Sequence, residues 1–381
     1  MNIFFITQWY PSPESPIAGI FVREHARAIA KFHQVFVIVS RGDTEKGTPL
    51  LQIKREEDDA LVVFRIKYRK PPVPLISAIP RLIGNLRVFR QLISSGVSLD
   101  IIHANIYNTA DIAAVLQRNY HLPAVLTEHT SAYPRKLLSK TQALKAHYFL
   151  NRLNLLMPVS KDLSEHMRQY GIRGPFFPVP NTVDTNIFFP GSNKYSDDDG
   201  IPRILAVASH LPVKRIDFLI RATSILARRG VQCGVILVGD GPERPNLEEL
   251  SRHLNVGDRV TFLGLLNKHQ VADIMRRVDI FALTSQWENQ PVVLLEAMAS
   301  GLPILASRVG GIPEIIQPYC GRLVESSDIE DIADNLQDML GHLSEYSQSQ
   351  ISEYAQSRFC YRAVGNRFSV AYQLASGKSS L

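Results

Sequence analysis

Short, almost unbroken apolar runs alternate along the chain with longer stretches in which apolar residues recur every three or four positions. In the first half the runs are "NIFFIT", "VFVIVS", "LVVFRI", "DIIHAN" and "AVLTEH", followed by the shorter "LLMPVS" and "FFPVP". Between them "VREHARAIAKF", "LRVFRQLISS", "ADIAAVLQRN" and "KDLSEHMRQY" carry the helical period. Runs of this kind are strands buried on both faces, and their alternation with helices predicts parallel βαβ units.

The alternation breaks at "GSNKYSDDDG", residues 191–200, which is polar, glycine-bounded and without periodicity, the signature of a linker. Its acids, Asp197 to Asp199, read as a solvated loop. Beyond it the pattern restarts with strands "RILAVAS", "GVILVGDG", "RVTFLG", "DIFALTS" and "PILAS", separated by helices "RIDFLIRATSILARR", "RPNLEELSRHL", "KHQVADIMRR" and "PVVLLEAMAS". The last segment, "YRAVGNRFSVAYQLA", is an amphipathic helix able to pack on either half. The expected architecture is α/β: two Rossmann-like, doubly wound domains facing each other across a cleft. The predicted boundaries are 1–190, a linker at 191–201, a second domain at 202–362 and a C-terminal helix and tail at 363–381 that packs back on the first domain.

Length agrees, since 381 residues exceed one core and fit two domains of roughly 150–200 residues. The hydrophobic and charged fractions, 45% and 20%, are those of an ordinary globular protein. No apolar run reaches the length of a membrane span, and the N-terminus lacks the basic start of a signal peptide, so a cytoplasmic chain is expected. Cys233, Cys320 and Cys360 lack metal or redox spacing and read as reduced thiols. The formal charge of +6 is uneven. Arg65, Lys67, Arg69, Lys70, Arg81, Arg87 and Arg90 fall in a window free of acids, and "VPLISAIPRLIGNLRVFRQLI" mixes apolar residues with arginine at helical intervals. Such a stretch fits an anionic membrane surface, an anionic substrate, or simply a solvated helix face.

Several familiar motifs fail. In "GDGPER" the third glycine of a dinucleotide fingerprint falls at Arg244, and in "SGKSS" the first glycine of a phosphate loop falls at Tyr372. The histidines His25, His103, His129 and His210 have no metal-site spacing, and no nucleic-acid module or basic-aromatic repeat occurs.

The stretch "SQWENQPVVLLEAMASGLPI", residues 285–304, holds two carboxylates, Glu288 and Glu296. On one helix they would lie about 12 Å apart along the axis, beyond the roughly 5–9.5 Å of a glycosidase pair. Pro291 suits the first helical position, which leaves the amides of Val292 and Val293 pointing from a helix end that attracts phosphate. Glu288 ahead of that end and Glu296 two turns inside it match the hydroxylated ends of a sugar–diphosphate–ribose ligand. Lys214, after "RILAVAS", adds positive charge able to stabilise a departing diphosphate.

"ENQPVVLLEAMASGLPILASRVGGIPEII" resembles the E-x7-E region of the retaining glycosyltransferases of family 4, which have the GT-B architecture. "YPSPESPIAGIFVREHARAIAKFHQVFVI", "VPNTVDTNIFFP", "VGDGPERPNLEEL" and "RVTFLG" extend the resemblance over nearly the whole chain. The opening segment is most similar to bacterial members that build surface polysaccharides.

The resemblance implies transfer of a sugar from a nucleoside-diphosphate-sugar, a uridine diphosphate sugar favoured, to an acceptor hydroxyl, with retained configuration and neither cofactor nor essential metal. It places Glu288 on the sugar hydroxyls, Glu296 on the ribose, Lys214 on the diphosphate, and the backbone of Asn289, Gln290, Pro291, Val292 and Val293 around the donor. Gly19 belongs to the loop the diphosphate approaches, His129 in "TEHT" to the reacting sugar, and Gly264 and Leu265 to the base. Two departures stand out. Ser209-His210-Leu211 replaces Gly-Arg-Leu, so that His210 or Arg215 takes the place of the phosphate-binding arginine. Asn289-Gln290-Pro291 replaces a glycine-rich loop. The reaction is expected to draw the domains together about the linker, and the basic segment from Arg65 to Arg90 fits a lipid-linked glycan as acceptor, met peripherally at the inner face of an anionic membrane. A non-catalytic nucleotide-sugar-binding subunit or scaffold, and a nucleotide-sugar epimerase or hydrolase, are the alternatives.

Overall fold

The computed structural model describes residues 1–15, 17–71, 78–191, 199–325 and 327–378. They divide into two units, Met1–Thr182 with Tyr361–Leu381 and Val183–Cys360.

The first unit is built on a seven-stranded sheet. Its strands are β1 (Asn2–Thr7), β2 (Gln34–Asp43), β3 (Leu51–Asp58), β4 (Leu61–Arg69), β5 (Ile101–Asn105), β6 (Ala124–Glu128) and β7 (Leu155–Pro158), in the order β3-β4-β2-β1-β5-β6-β7. All pair in parallel except β3, which runs antiparallel to β4 at the edge. The central strands carry apolar residues on both faces because both are covered: Phe4 and Ile6 enter one core, Ile3 and Phe5 the other. Helices α1 (Ile20–Ile29), α2 (Ile79–Ser94), α3 (Ala110–Tyr120), α4 (Lys140–Leu150) and α5 (Lys161–Gln169) supply those covers.

The second unit repeats the plan with six parallel strands, β8 (Arg203–Val207), β9 (Gly234–Val238), β10 (Val260–Gly264), β11 (Ile280–Leu283), β12 (Ile304–Ser307) and β13 (Gly321–Val324), ordered β10-β9-β8-β11-β12-β13. Its helices are α6 (Ile216–Arg228), α7 (Arg244–His253), α8 (Lys268–Met275), α9 (Val292–Ala299), α10 (Ile329–Gly341) and α11 (Gln348–Phe359). Along β11, Phe281 and Leu283 face one core while Ile280 and Ala282 face the other.

Several expectations need correction. "FFPVP" forms no strand: beside β7 it makes one isolated bridge, Leu156 to Phe176, and Val179 N–H donates to Pro158 O at 3.0 Å, but its prolines remove the donors a continuous ladder needs. The edge strand β3, "LQIKREED", escapes the apolar criterion because most of its side chains face solvent. The predicted linker, 191–201, lies largely outside the described residues, 192–198 being among those excluded. The unit changes earlier, between Thr182 and Val183, where Val183 N–H donates to Phe359 O (2.9 Å) and Phe188 enters the second core.

The chain returns to the first unit at α12 (Tyr361–Ala375), two residues before the predicted tail begins. Val364, Phe368, Ala371 and Tyr372 of α12 are buried, each large side chain contributing about 1.5–3 kcal/mol of transfer free energy. The Tyr372 hydroxyl also meets His103 Nδ1 at 2.8 Å, and Tyr361 hydrogen-bonds Glu24 of α1.

Candidate functional site

In open α/β sheets the loops at the carboxyl ends of the strands form a ligand crevice where the strand order reverses. In the second unit that reversal falls between β8 and β11. The loop after β8 carries Lys214 and the loop after β11 carries Glu288, and the two side chains meet there, Nζ to Oε1 at 2.6 Å. Ser285 Oγ donates to the same oxygen at 2.7 Å. Two further bonds lock the loops together: Gln286 N–H donates to Val213 O at 2.8 Å, and the Thr284 hydroxyl donates to Arg215 O at 2.9 Å.

Glu288 is 8% exposed, so its charge is stabilised by these partners rather than by bulk water. Gly310 holds the loop from the other side. At φ 53° it approaches so closely that a Cβ there would fall 1.7 Å from Glu288 O, and Gly311 N–H donates to Asn289 O at 2.7 Å. Sequence reasoning named neither Ser285 nor Gly310, although both lie in the stretches it singled out.

Pro291 is the residue capping α9, not its first helical residue. Its ψ of 123° is extended, and the helix begins at Val292. Val292 and Val293 therefore occupy the first turn, where amides have no partner within the helix. Asn289 and Gln290 are buried, and Glu296 is half-buried on the second turn. Because Glu288 lies in the loop, helical arithmetic does not set its distance from Glu296.

His210 does not supply a standing cation. It is buried, with its ring edge-on to Phe262 at 6.2 Å, and burial pushes its pKa below the usual imidazole range. Arg215 caps α6 with left-handed φ 47° and ψ 40°, a conformation that favours glycine. Its guanidinium is engaged by Asp217 at 3.1 and 3.2 Å and lies 3.5 Å from the Phe218 ring centre. Lys214 is therefore the basic residue the fold directs to Glu288. Gly264 ends β10, two strands from β8, and Leu265 after it is 71% exposed.

In the first unit the reversal falls between β1 and β5. Asn108 Nδ2, after β5, donates to Gln8 Oε1, after β1, at 2.9 Å. His129 follows β6, with its ring 5.0 Å from His25, 4.6 Å from Phe21 and hydrogen-bonded to Asn181. Burial first, then the neighbouring His25 and His103, drive its pKa well below the ordinary value, so the ring is neutral at pH 7.

The preceding Glu128, which sequence reasoning passed over inside "TEHT", is the brace of this region. It accepts N–H bonds from His129, Thr130 and Tyr107, each at 2.9 Å, while burial raises its pKa to about 7. Gly19 caps α1 at φ 71°, and a Cβ there would fall 2.4 Å from the Trp9 carbonyl carbon; the loop requires glycine for its own packing.

The basic window also resolves. Arg65 pairs with Glu56, and Arg81 is buried against Asp111 (2.5 Å) and Asn108 O (2.7 Å). Only part of the window, Arg87 and Arg90 on α2 included, remains a surface; residues 72–77 lie outside the described residues. Among the described residues, no three His, Cys, Asp or Glu side chains are grouped to hold a metal, and no helix is long and apolar enough to cross a membrane.

Two Rossmann-like units, each with polar loops gathered at its own strand reversal, define the class: a doubly wound α/β protein with ligand loops at the strand ends. Residues 18–187 match the model for glycosyltransferase family 4, and residues 192–358 the model for glycosyl transferases group 1. The chain belongs to glycosyltransferase family 4, with the GT-B architecture.

N-acetyl-alpha-D-glucosaminyl L-malate synthase of Bacillus anthracis is 30% identical over 56% of this chain and 54% of its own length. D-inositol 3-phosphate glycosyltransferase of Mycolicibacterium smegmatis is 34% identical over 42% of this chain and 38% of its own. The chain spans about half the length, or less, of these curated relatives. The crystal structure of Anabaena HepE in complex with UDP superposes with a TM-score of 0.74 at 19% identity, covering 98% of this chain and 99% of that one, a likeness of fold.

Proposed function

We propose that this chain is a retaining, metal-independent glycosyltransferase that moves a sugar from a nucleoside-diphosphate-sugar, with uridine diphosphate as leaving group, to an acceptor hydroxyl in surface-polysaccharide or glycolipid assembly. The observation that carries the reading is the Lys214–Glu288 contact at the strand reversal of the second unit, just ahead of the open end of α9. Family membership and the fold likeness to a UDP complex support it.

In this reading the bond between the anomeric carbon and the diphosphate oxygen breaks, and the acceptor oxygen bonds the same carbon on the same face. The acceptor proton passes to the departing diphosphate. Lys214 and the amides of Val292 and Val293 stabilise the charge that develops on that group, which is where preorganised donors lower a barrier most. Glu288 holds the sugar hydroxyls, Glu296 the ribose, and the backbone at Gly264 and Leu265 borders the base. His129, neutral and braced through Glu128, offers a hydrogen bond to the reacting sugar rather than a charge. The loop capped by Gly19 faces the diphosphate. The acceptor is carried on lipid at an anionic membrane surface, with Arg87 and Arg90 as its contacts.

The test is a panel of nucleotide-sugars scored by thermal stabilisation, since a ligand that binds only the native state raises its apparent stability. Turnover follows with the stabilising donor, in EDTA, with the product's anomeric configuration read by NMR. A panel without effect sinks the reading, inverted product removes retention, and sugar release without acceptor indicates hydrolysis.

A further inference from the structure

We propose that Ser285 is a positioning residue for recognition of the donor sugar: its hydroxyl fixes the Glu288 carboxylate so that one oxygen, Oε2, meets the sugar even while Lys214 is drawn to the diphosphate. Ser285 follows β11 by two residues and is 0% exposed, and its Oγ donates to Glu288 Oε1 at 2.7 Å. Lys214 Nζ donates to the same oxygen at 2.6 Å. Two donors thus converge on Oε1. Among the described residues Oε2 has no hydrogen-bond partner, and it is not sealed from solvent, so it is the oxygen a ligand can reach.

The backbone around Glu288 does not depend on that hydroxyl. The loop is fastened at its start by the Thr284 hydroxyl to Arg215 O and by Gln286 N–H to Val213 O. It is fastened at its end by Gly311 N–H to Asn289 O, with Gly310 packed against Glu288 O. What the Ser285 hydroxyl adds therefore acts on the carboxylate. Lys214 cannot hold the carboxylate alone once a diphosphate arrives, because phosphate oxygens compete with Oε1 for the three N–H groups of an ammonium on a flexible stem. The serine hydroxyl carries no charge and is enclosed, so it stays on Oε1 when the lysine is shared. The lysine then serves the diphosphate, and the serine preserves the geometry that the sugar hydroxyls read, as a preorganised site requires.

This role rests on the transferase reading of the site. Calorimetric titration of the full chain with UDP, UDP-glucose, UDP-galactose and UDP-N-acetylglucosamine tests it. The affinity of the tightest nucleotide-sugar divided by that of UDP isolates what the sugar contributes. In Ser285→Ala, which removes a single oxygen, this ratio should fall about tenfold, the lower end of what a hydrogen bond to a charged group supplies, while UDP affinity stays within about threefold. Ser285→Cys, close in shape but with a weak S–H donor, should fall between the two and carries the same comparison if the alanine variant does not fold. Because Ser285 acts through the carboxylate, Ser285→Ala should not change the ratio further in a Glu288→Ala background. A hydroxyl that merely supported the fold would lower both affinities together. A native chain that binds a nucleotide-sugar, with the ratio unchanged in Ser285→Ala and Ser285→Cys or still falling in the Glu288→Ala background, overturns the role alone. Absence of binding of all three nucleotide-sugars to the native chain overturns the transferase reading, and the role with it.

Discussion

Replacing Lys214 by Met removes the cation from the strand reversal while keeping most of the aliphatic stem. In the native chain Lys214 Nζ and Ser285 Oγ both donate to Glu288 Oε1, and the side chains of Lys214 and Glu288 are 21% and 11% exposed. Breaking a fully buried pair by removing one partner costs about 3–5 kcal/mol. Here Lys214 retains solvent contact and Ser285 still serves the carboxylate, so a loss of about 1–3 kcal/mol is expected, a shift of several degrees in the melting of a unit this size. In a double-mutant cycle with Glu288→Gln, the coupling should be of the same order, since the residues touch.

The effect on ligand is separable from the effect on stability. A charge-assisted hydrogen bond is worth about 1.5–3 kcal/mol, so UDP should bind Lys214→Met roughly 10- to 150-fold more weakly. Urea unfolding supplies the first quantity and calorimetric titration the second. UDP affinity within about twofold of the native value, in a variant that unfolds as expected, would refute the assignment of Lys214 to the diphosphate.

Four further outcomes follow from the geometry. His25 is buried with Nε2 2.9 Å from Pro180 O, and burial lowers its pKa to about 4. Its stabilising contribution is complete above the unfolded value of about 6.5 and is lost as pH falls towards 4, about 3 kcal/mol in all; urea titrations should show a flatter acid limb in His25→Gln, and an unchanged limb would contradict this. Gly19→Ala places a Cβ 2.4 Å from the Trp9 carbonyl carbon at φ 71°, so a loss of about 2–4 kcal/mol should appear in the unfolding of the first unit. Arg81→Met strands Asp111 and should cost about 2–4 kcal/mol, whereas Arg87→Gln/Arg90→Gln should stay within about 0.5 kcal/mol per site yet reduce cosedimentation with anionic vesicles; undiminished cosedimentation would remove the membrane contact.

Much of this molecule is written in local pattern. A run such as "NIFFIT" has no polar face and is too short for a helix, so it reads as a strand covered on both sides, and its repeated alternation with helices implies two parallel sheets. The motif around Glu288 and Glu296 is equally local, because a capped helix end and its flanking carboxylates lie within a dozen residues.

What the sequence could not reveal depends on partners far along the chain. β3 is a strand because it pairs with β4, not because it is apolar, and Val183 belongs to the second unit because its amide meets Phe359. Arg81 looks like one of a series of surface bases until Asp111, 30 residues on, takes up its charge. His210 looks titratable until burial removes the water that would stabilise its cation. Charge and protonation are set by what surrounds a group, and only folding brings those surroundings together. So it is with Lys214 and Glu288, 74 positions apart in sequence and 2.6 Å apart in the fold.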